Sequence, residues 1–178
     1  MSTALAPATA VTMGEPAGVG IEITLKAWLL RQEPALDPFF LIADVDEVSR
    51  CATALDLDVP VARIENVDGA AASFSTSLPV LHQPLPVNPV AGSPDPANAP
   101  AVLGPIETAV TLTMDGGANA VVTNPIQKES LAKAGFRFSG HTDFLGHLAG
   151  DVPTVMMLAT NGLRVVPATV HVGLQEAI

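Results

Sequence analysis

Strand-length apolar runs alternate with stretches of helical spacing along most of this chain, and that alternation constrains the fold more than any other feature. Residues 8–13 (ATAVTM) are rich in strand formers and stop at Gly14. Residues 21–31 follow with Ile21, Leu25, Trp28 and Leu29 at helical spacing, and Pro34 bars continuation. Residues 38–43 (PFFLIA) read as a buried strand and 44–55 as a helix with an acidic first turn. Further strands are expected at 119–123, 154–159 and 164–171. Between them, helices are expected at 106–115, at 128–134 closed by Gly135, and at 142–149 closed by Gly150. A chain ordered in this way predicts an α/β fold with a largely parallel sheet.

Two segments depart from the alternation. Residues 79–105 hold eight of the 16 prolines. Proline lacks an amide hydrogen, so this segment is expected as a long extended excursion, neither mostly helix nor central strand, and a surface spacer is its plain reading. Residues 171–178 (HVGLQEAI) stop as a strand hands over to an amphipathic helix, whose apolar face a domain normally buries. The chain therefore reads as truncated.

Composition bounds what such a chain can do. Its 178 residues suit one domain, or two small lobes sharing a sheet, and 48 % hydrophobic residues supply a sizeable core. Eight Lys+Arg against 18 Asp+Glu give a net charge of −10, which argues against nucleic acid and anionic membrane as partners. Cys51 is the only cysteine. That excludes a disulfide scaffold or a cysteine-based zinc cluster and fits a reducing cytoplasm. Residues 1–10 are apolar without a basic start, so no secretory signal is expected. No uncharged apolar run reaches the ~18 residues of a membrane helix. The expectation is a soluble, cytoplasmic, acidic globular chain.

Three constellations could carry chemistry. Residues 12–22 (TMGEPAGVGIE) form a glycine-rich turn between a strand and a helix. Such a turn can bring backbone amides and a helix N-terminus to an anion, although the spacing fits neither dinucleotide nor Walker patterns and a plain tight turn explains it as well. Residues 123–143 (TNPIQKESLAKAGFRFSGHTD) put Lys128, Lys133 and Arg137 within ten positions, a cationic island suited to a phosphorylated or carboxylated small molecule. Asn124-Pro125 follows a strand, at the end where ligands bind in parallel sheets, and Lys128 stands close behind it. Lys133 and Arg137 also read as ordinary solvated charges. The third set is the histidines His82, His141, His147 and His171. His82 is expected on the surface, and His141 and His147, six apart, fall on different faces of a helix. His171 ends an apolar strand, as either a satisfied core group or a metal ligand.

At these residues the sequence resembles the 4-hydroxythreonine-4-phosphate dehydrogenase family of pyridoxal-phosphate biosynthesis. The stretches TMGEPAGVGIEI, GANAVVTNPIQKESLAKAGFRFSGHTDFL and VMMLATNGLRVVPATVH occur in the family's order, with 30 positions from His141 to His171. The resemblance covers the N-terminal half of a complete member. It implies an isocitrate/isopropylmalate-dehydrogenase-like α/β/α fold, here truncated, with two lobes around a cleft. Residues 1–125 would form most of the first lobe and 126–178 the start of the second. It also implies that His141 and Thr142 bind the phosphorylated substrate, that Lys128 is the active-site lysine of a Pro-x-x-Lys motif, and that His171 is the first of three histidine metal ligands. The other two ligands are absent from this chain. Asp143 stands where the family usually has Glu, Glu15 where it has Asp, and Gln127 where Asn or His is usual. Pro167 is a further departure.

The implied activity is oxidation of 4-phosphooxy-L-threonine by NAD or NADP to a 3-oxo acid that then loses carbon dioxide, with zinc, magnesium or cobalt as cofactor. Members are homodimers sharing the metal site. The alternatives are oxidation of 4-phospho-erythronate or 4-phospho-threonate, and a catalytically silent fragment. Lys128, His141 and Thr142 are expected on one cleft with His171 nearby. The strands at 154–159 and 164–171 are expected to carry uncovered apolar side chains, among them Val155, Met157, Val165 and Val170.

Overall fold

The computed structural model describes residues 7–32, 36–169 and 172–178. These form two compact units, one up to Arg137 and one from Phe138 onward.

The first unit is built on β1 (Thr9–Thr12), α1 (Gly20–Leu29), β2 (Phe39–Ala43), α2 (Val45–Ala54), β3 (Val61–Ile64), α3 (Ala70–Ser73), β4 (Leu78–His82), α4 (Ala99–Met114), β5 (Val121–Val122) and α5 (Lys128–Lys133). The five strands make one sheet in the order β3-β4-β2-β1-β5, and every pairing is parallel. β2 is buried along its whole length, as a central parallel strand must be when helices cover both faces. Its side chains alternate between two cores. Phe39, Leu41 and Ala43 meet Ile21, Leu25 and Trp28 of α1 and Val48 of α2. Phe40 and Ile42 face the other way, toward Ala70 of α3 and Ala109 of α4. Phe40 is fully buried, a gain of about 2–3 kcal/mol over leaving it in water. Ile21, Leu25 and Trp28 recur on one stripe of α1, and Trp28 Nε1 donates to the Phe74 carbonyl at 2.9 Å. Leu29, also read as part of that face, is 40 % exposed instead.

The proline-rich segment is the expected excursion over residues 83–95, which lie outside helix and strand, but not at its two ends. Its first residues lie in β4, an internal strand, and its last seven in α4. Pro79 fits because it precedes the pairing with β2, which begins at Leu41 with Val80, so no ladder bond to that strand is lost. Asp95 accepts from the Ala97 amide to start a short 3-10 turn, and Pro100 occupies the first turn of α4, where amides need no helical partner. α4 thus begins seven residues before the expected start. Pro105 lies inside it, leaving the Ala101 carbonyl without its helical donor, and its ring is buried in the core.

The second unit holds α6 (His141–Leu148), β6 (Leu158–Thr160), β7 (Leu163–Val165) and α7 (Leu174–Ala177). Phe144 is buried, with the Phe138 ring 5.1 Å away. Among the described residues, the strands expected at 154–159 and 164–171 are not part of the parallel sheet. They shrink to β6 and β7, an antiparallel ribbon turned at Gly162, whose φ of +78° suits glycine. Val155, Met157 and Val165 are exposed by 74, 54 and 45 %, as expected, while Val170 lies outside the described residues. Among the described residues no helix is long and apolar enough to cross a membrane.

Candidate functional site

The ends of β1 and β5 lie side by side in the sheet, and the segments leaving them are locked together. The Asn124 amide nitrogen Nδ2 donates to the Thr12 carbonyl and to Thr24 Oγ1, each at 2.9 Å, and its backbone amide donates to Thr12 Oγ1 at 3.2 Å. All three residues are buried. Each net hydrogen bond of this kind is worth about 1 kcal/mol, and a donor stranded without its partner costs more.

The glycine-rich turn serves this junction. Gly14 has φ of +74°, and a Cβ there would stand 2.5 Å from the Pro125 carbonyl oxygen. The Glu15 amide donates to that same carbonyl at 2.9 Å. The Glu15 carboxylate is buried, accepting from the Ala17 amide at 3.2 Å and standing 3.4 Å from Ser130 Oγ in the first turn of α5. The turn is therefore a packing device joining the two loops. A buried carboxylate at its centre gives it the wrong sign for cradling phosphate, and the plain tight-turn reading is the one the geometry favours.

Lys128 is the first residue of α5 and is exposed, two residues from the Ser130 that meets Glu15. Gln127 caps α5 through its side-chain oxygen, which accepts from the Ser130 amide. Lys133 is held by Glu129 at 2.8 Å, with both side chains well exposed. Lys133 therefore behaves as the solvated surface charge of the alternative reading.

In the second unit, His141, Thr142 and Asp143 are the first three residues of α6. His141 is half-buried and Thr142 exposed. The first-turn amides of such a helix suit an anion, and Thr142 adds a hydroxyl. The Asp143 carboxylate accepts from Ser139 Oγ, so this acidic residue is engaged locally. His147 lies further along the helix, its ring 5.0 Å from that of Phe138 and its Nδ1 2.7 Å from Asp151 Oδ1. Lys128 belongs to the first unit and His141 and Thr142 to the second. His171, the expected metal ligand, lies outside the described residues.

His82 departs from its expected place on the surface. It is half-buried at the end of β4, and its Nδ1 accepts from the Val45 amide at 3.3 Å, satisfying a first-turn donor of α2. Among the described residues, no group of three or more His, Cys, Asp or Glu side chains could hold a metal ion. The described residues do not by themselves make a metal centre.

The chain's relatives are consistent with one another. Residues 35–178 match the family described as pyridoxal phosphate biosynthetic protein PdxA. A 4-hydroxythreonine-4-phosphate dehydrogenase of Methylorubrum extorquens is 46 % identical over 174 residues, covering 94 % of this chain and 50 % of the relative. The enzyme of the same name from Bradyrhizobium diazoefficiens is 44 % identical over 189 residues, covering 100 % of this chain and 55 % of the relative. The crystal structure of a 4-hydroxythreonine-4-phosphate dehydrogenase from Burkholderia phymatum superposes with a TM-score of 0.85 at 29 % identity, over 97 % of this chain and 52 % of that one. The isocitrate/isopropylmalate-dehydrogenase-like α/β fold expected from the motifs is the one that these structures share. The chain spans about half the length of the curated relatives it matches.

Proposed function

Because this chain belongs to the pyridoxal phosphate biosynthetic protein PdxA family, we propose that it forms part of a dehydrogenase that oxidises 4-phosphooxy-L-threonine in pyridoxal-phosphate synthesis. The observation that carries this is the family match over residues 35–178, which spans both units and all of the expected site residues. In this reading residues 1–125 give most of the first lobe and 126–178 begin the second. His141 and Thr142 bind the phosphorylated substrate through the first turn of α6. Lys128 is the cationic group at the active site, held in place through the contact between Glu15 and Ser130. NAD or NADP accepts the hydride, and the 3-oxo product loses carbon dioxide. His171 contributes one ligand to a zinc, magnesium or cobalt ion whose remaining ligands come from polypeptide beyond this chain. The working enzyme is a cytoplasmic homodimer.

Formation of NADH tests the reading. The chain is mixed with 4-phosphooxy-L-threonine, NAD and each metal in turn, alone and with the unmatched half of the Methylorubrum extorquens relative. Turnover is expected only in the complemented mixture, and Lys128→Ala or His141→Ala should lower kcat/KM by roughly 100-fold or more. Turnover of 4-phospho-erythronate or 4-phospho-threonate in its place would assign the chain to a sibling activity. Absence of turnover with all three would leave a silent fragment.

A further inference from the structure

We propose that Asn161 is a self-modification site, where the Gly162 backbone nitrogen closes on the side-chain amide and converts the asparagine to aspartate and isoaspartate. The two residues make the exposed turn of the β6–β7 ribbon, since Thr160 pairs with Leu163 and only Asn161 and Gly162 lie between them. Gly162 has no Cβ and holds φ of +78°, so no side chain of its own shields its nitrogen. Among the described residues, neither the Asn161 side chain nor the Gly162 amide has a hydrogen-bond partner to hold it away from the reaction.

The chemistry needs only solvent. The Gly162 nitrogen gives its proton to solvent base and attacks Asn161 Cγ. The new N–C bond closes a five-membered succinimide as the Cγ–Nδ2 bond breaks and ammonia leaves. Water then opens the ring: at the side-chain carbonyl it gives aspartate, at the main-chain carbonyl isoaspartate. One water is consumed and one ammonia released, with no change of oxidation state. Cyclisation requires the turn to swing nitrogen and Cγ together, and the ribbon yields easily. Two strands alone are marginal in water, and Leu158 and Leu163 beside the turn are 61 and 58 % exposed.

The five other asparagines are internal controls. Asn88 and Asn124 precede prolines, which have no N–H to lose. The Asn66 side chain accepts from the Asp68 amide, and that of Asn119 from Thr9 Oγ1. Asn98 is buried and accepts from the Val87 amide. Among the described residues, Asn161 alone joins an exposed, unengaged side chain to a following glycine. Either product adds a negative charge to a chain already at −10. Isoaspartate also lengthens the main chain by a carbon, inside a turn whose length fixes the pairing register. The pairing of Thr160 with Leu163 should therefore weaken as the chain ages.

The site does not depend on the proposed activity, and its test reads mass and connectivity without turnover. The chain is held at mildly alkaline pH below its melting temperature, then digested for mass spectrometry. Isoaspartate is counted by methyl transfer from S-adenosylmethionine with an isoaspartyl methyltransferase. The peptide holding Asn161 is expected to exchange NH2 for OH faster than any peptide holding another asparagine. It should appear as two isomers, and its formation should quicken as pH rises. Gly162→Ala should slow it by roughly 10-fold or more, because a Cβ crowds the attacking nitrogen. Alanine is strained at that φ, so Asn161→Gln, which keeps the turn glycine, is the companion variant. Its longer side chain must close a larger ring, and the isoaspartate signal should vanish. An unmodified Asn161, conversion spread evenly over the six asparagines, aspartate without isoaspartate, or a rate indifferent to Gly162→Ala would each overturn the proposal.

Discussion

Asn124 is buried just past the end of β5, where its side chain holds Thr12 and Thr24, 112 and 100 residues earlier in the chain. Asn124→Ala removes both side-chain donors and strands the Thr12 carbonyl, so a loss of about 2–3 kcal/mol is expected in urea unfolding. Asn124→Asp should be no better, because a carboxylate cannot donate to that carbonyl. Cys51 lies partly buried against the core of α1 and α2. Burial pushes its thiol above the usual value, the neighbouring Glu47 charge adds to this, and Arg50 opposes it. The folded chain therefore holds this proton more tightly than the unfolded chain does. The resulting stability is fully present below the ordinary thiol pKa and is lost as pH rises through the raised folded value. Two measurements check this: alkylation of Cys51 should be slower in the native chain than in urea, and Cys51→Ala should lose less stability than the parent between neutral and alkaline pH.

Among the elements, α2 shows how a local signal becomes a tertiary one. Asp44 Oδ1 accepts from the Asp46 and Glu47 amides, as an N-cap does, and Oδ2 accepts from the Leu85 amide at 3.0 Å. The cap thereby pins the segment leaving β4. Asp44→Ala should cost about 1–2 kcal/mol by thermal or urea unfolding, with Asp44→Asn intermediate. The acidic first turn of α2 and the glycine stops of α5 and α6 were legible because each rests on neighbours in sequence. Gly135 and Gly150 both have positive φ just past the helix ends. β3 and β4 were not legible. Pro79 reads as a strand breaker, and only its position ahead of the β2 pairing makes it acceptable. The β6–β7 ribbon carried a usable signal in Asn161-Gly162, a turn dipeptide between two apolar runs.

For the molecule as a whole, apolar surface outside the core is the dominant feature. Val155, Leu158 and Leu163 are each more than half exposed, and a two-stranded ribbon is marginal in water without a covering layer. The chain alone should bind a dye that fluoresces on apolar surface, and sedimentation should show association that rises with concentration despite the net charge of −10. Hydrogen exchange should find the ribbon amides among the least protected, and those of β2 among the most. A monomeric chain with no dye signal and a protected ribbon would contradict this.

By itself the sequence determined the alternation of strands and helices, the parallel sheet, the first stripe of α1 and the ends of most helices. It could do so because periodicity, capping and glycine stops act over a turn or two of chain. It also placed Lys128 at a helix start and His141 one residue ahead of one, where the structure begins α6 at His141 itself. Tertiary structure alone decided that the glycine turn packs against Pro125, that Glu15 meets Ser130 and that His82 caps α2. These outcomes depend on segments that meet only once the strands have taken the order β3-β4-β2-β1-β5. Strand order sets which distant loops become neighbours, and no local spacing encodes it.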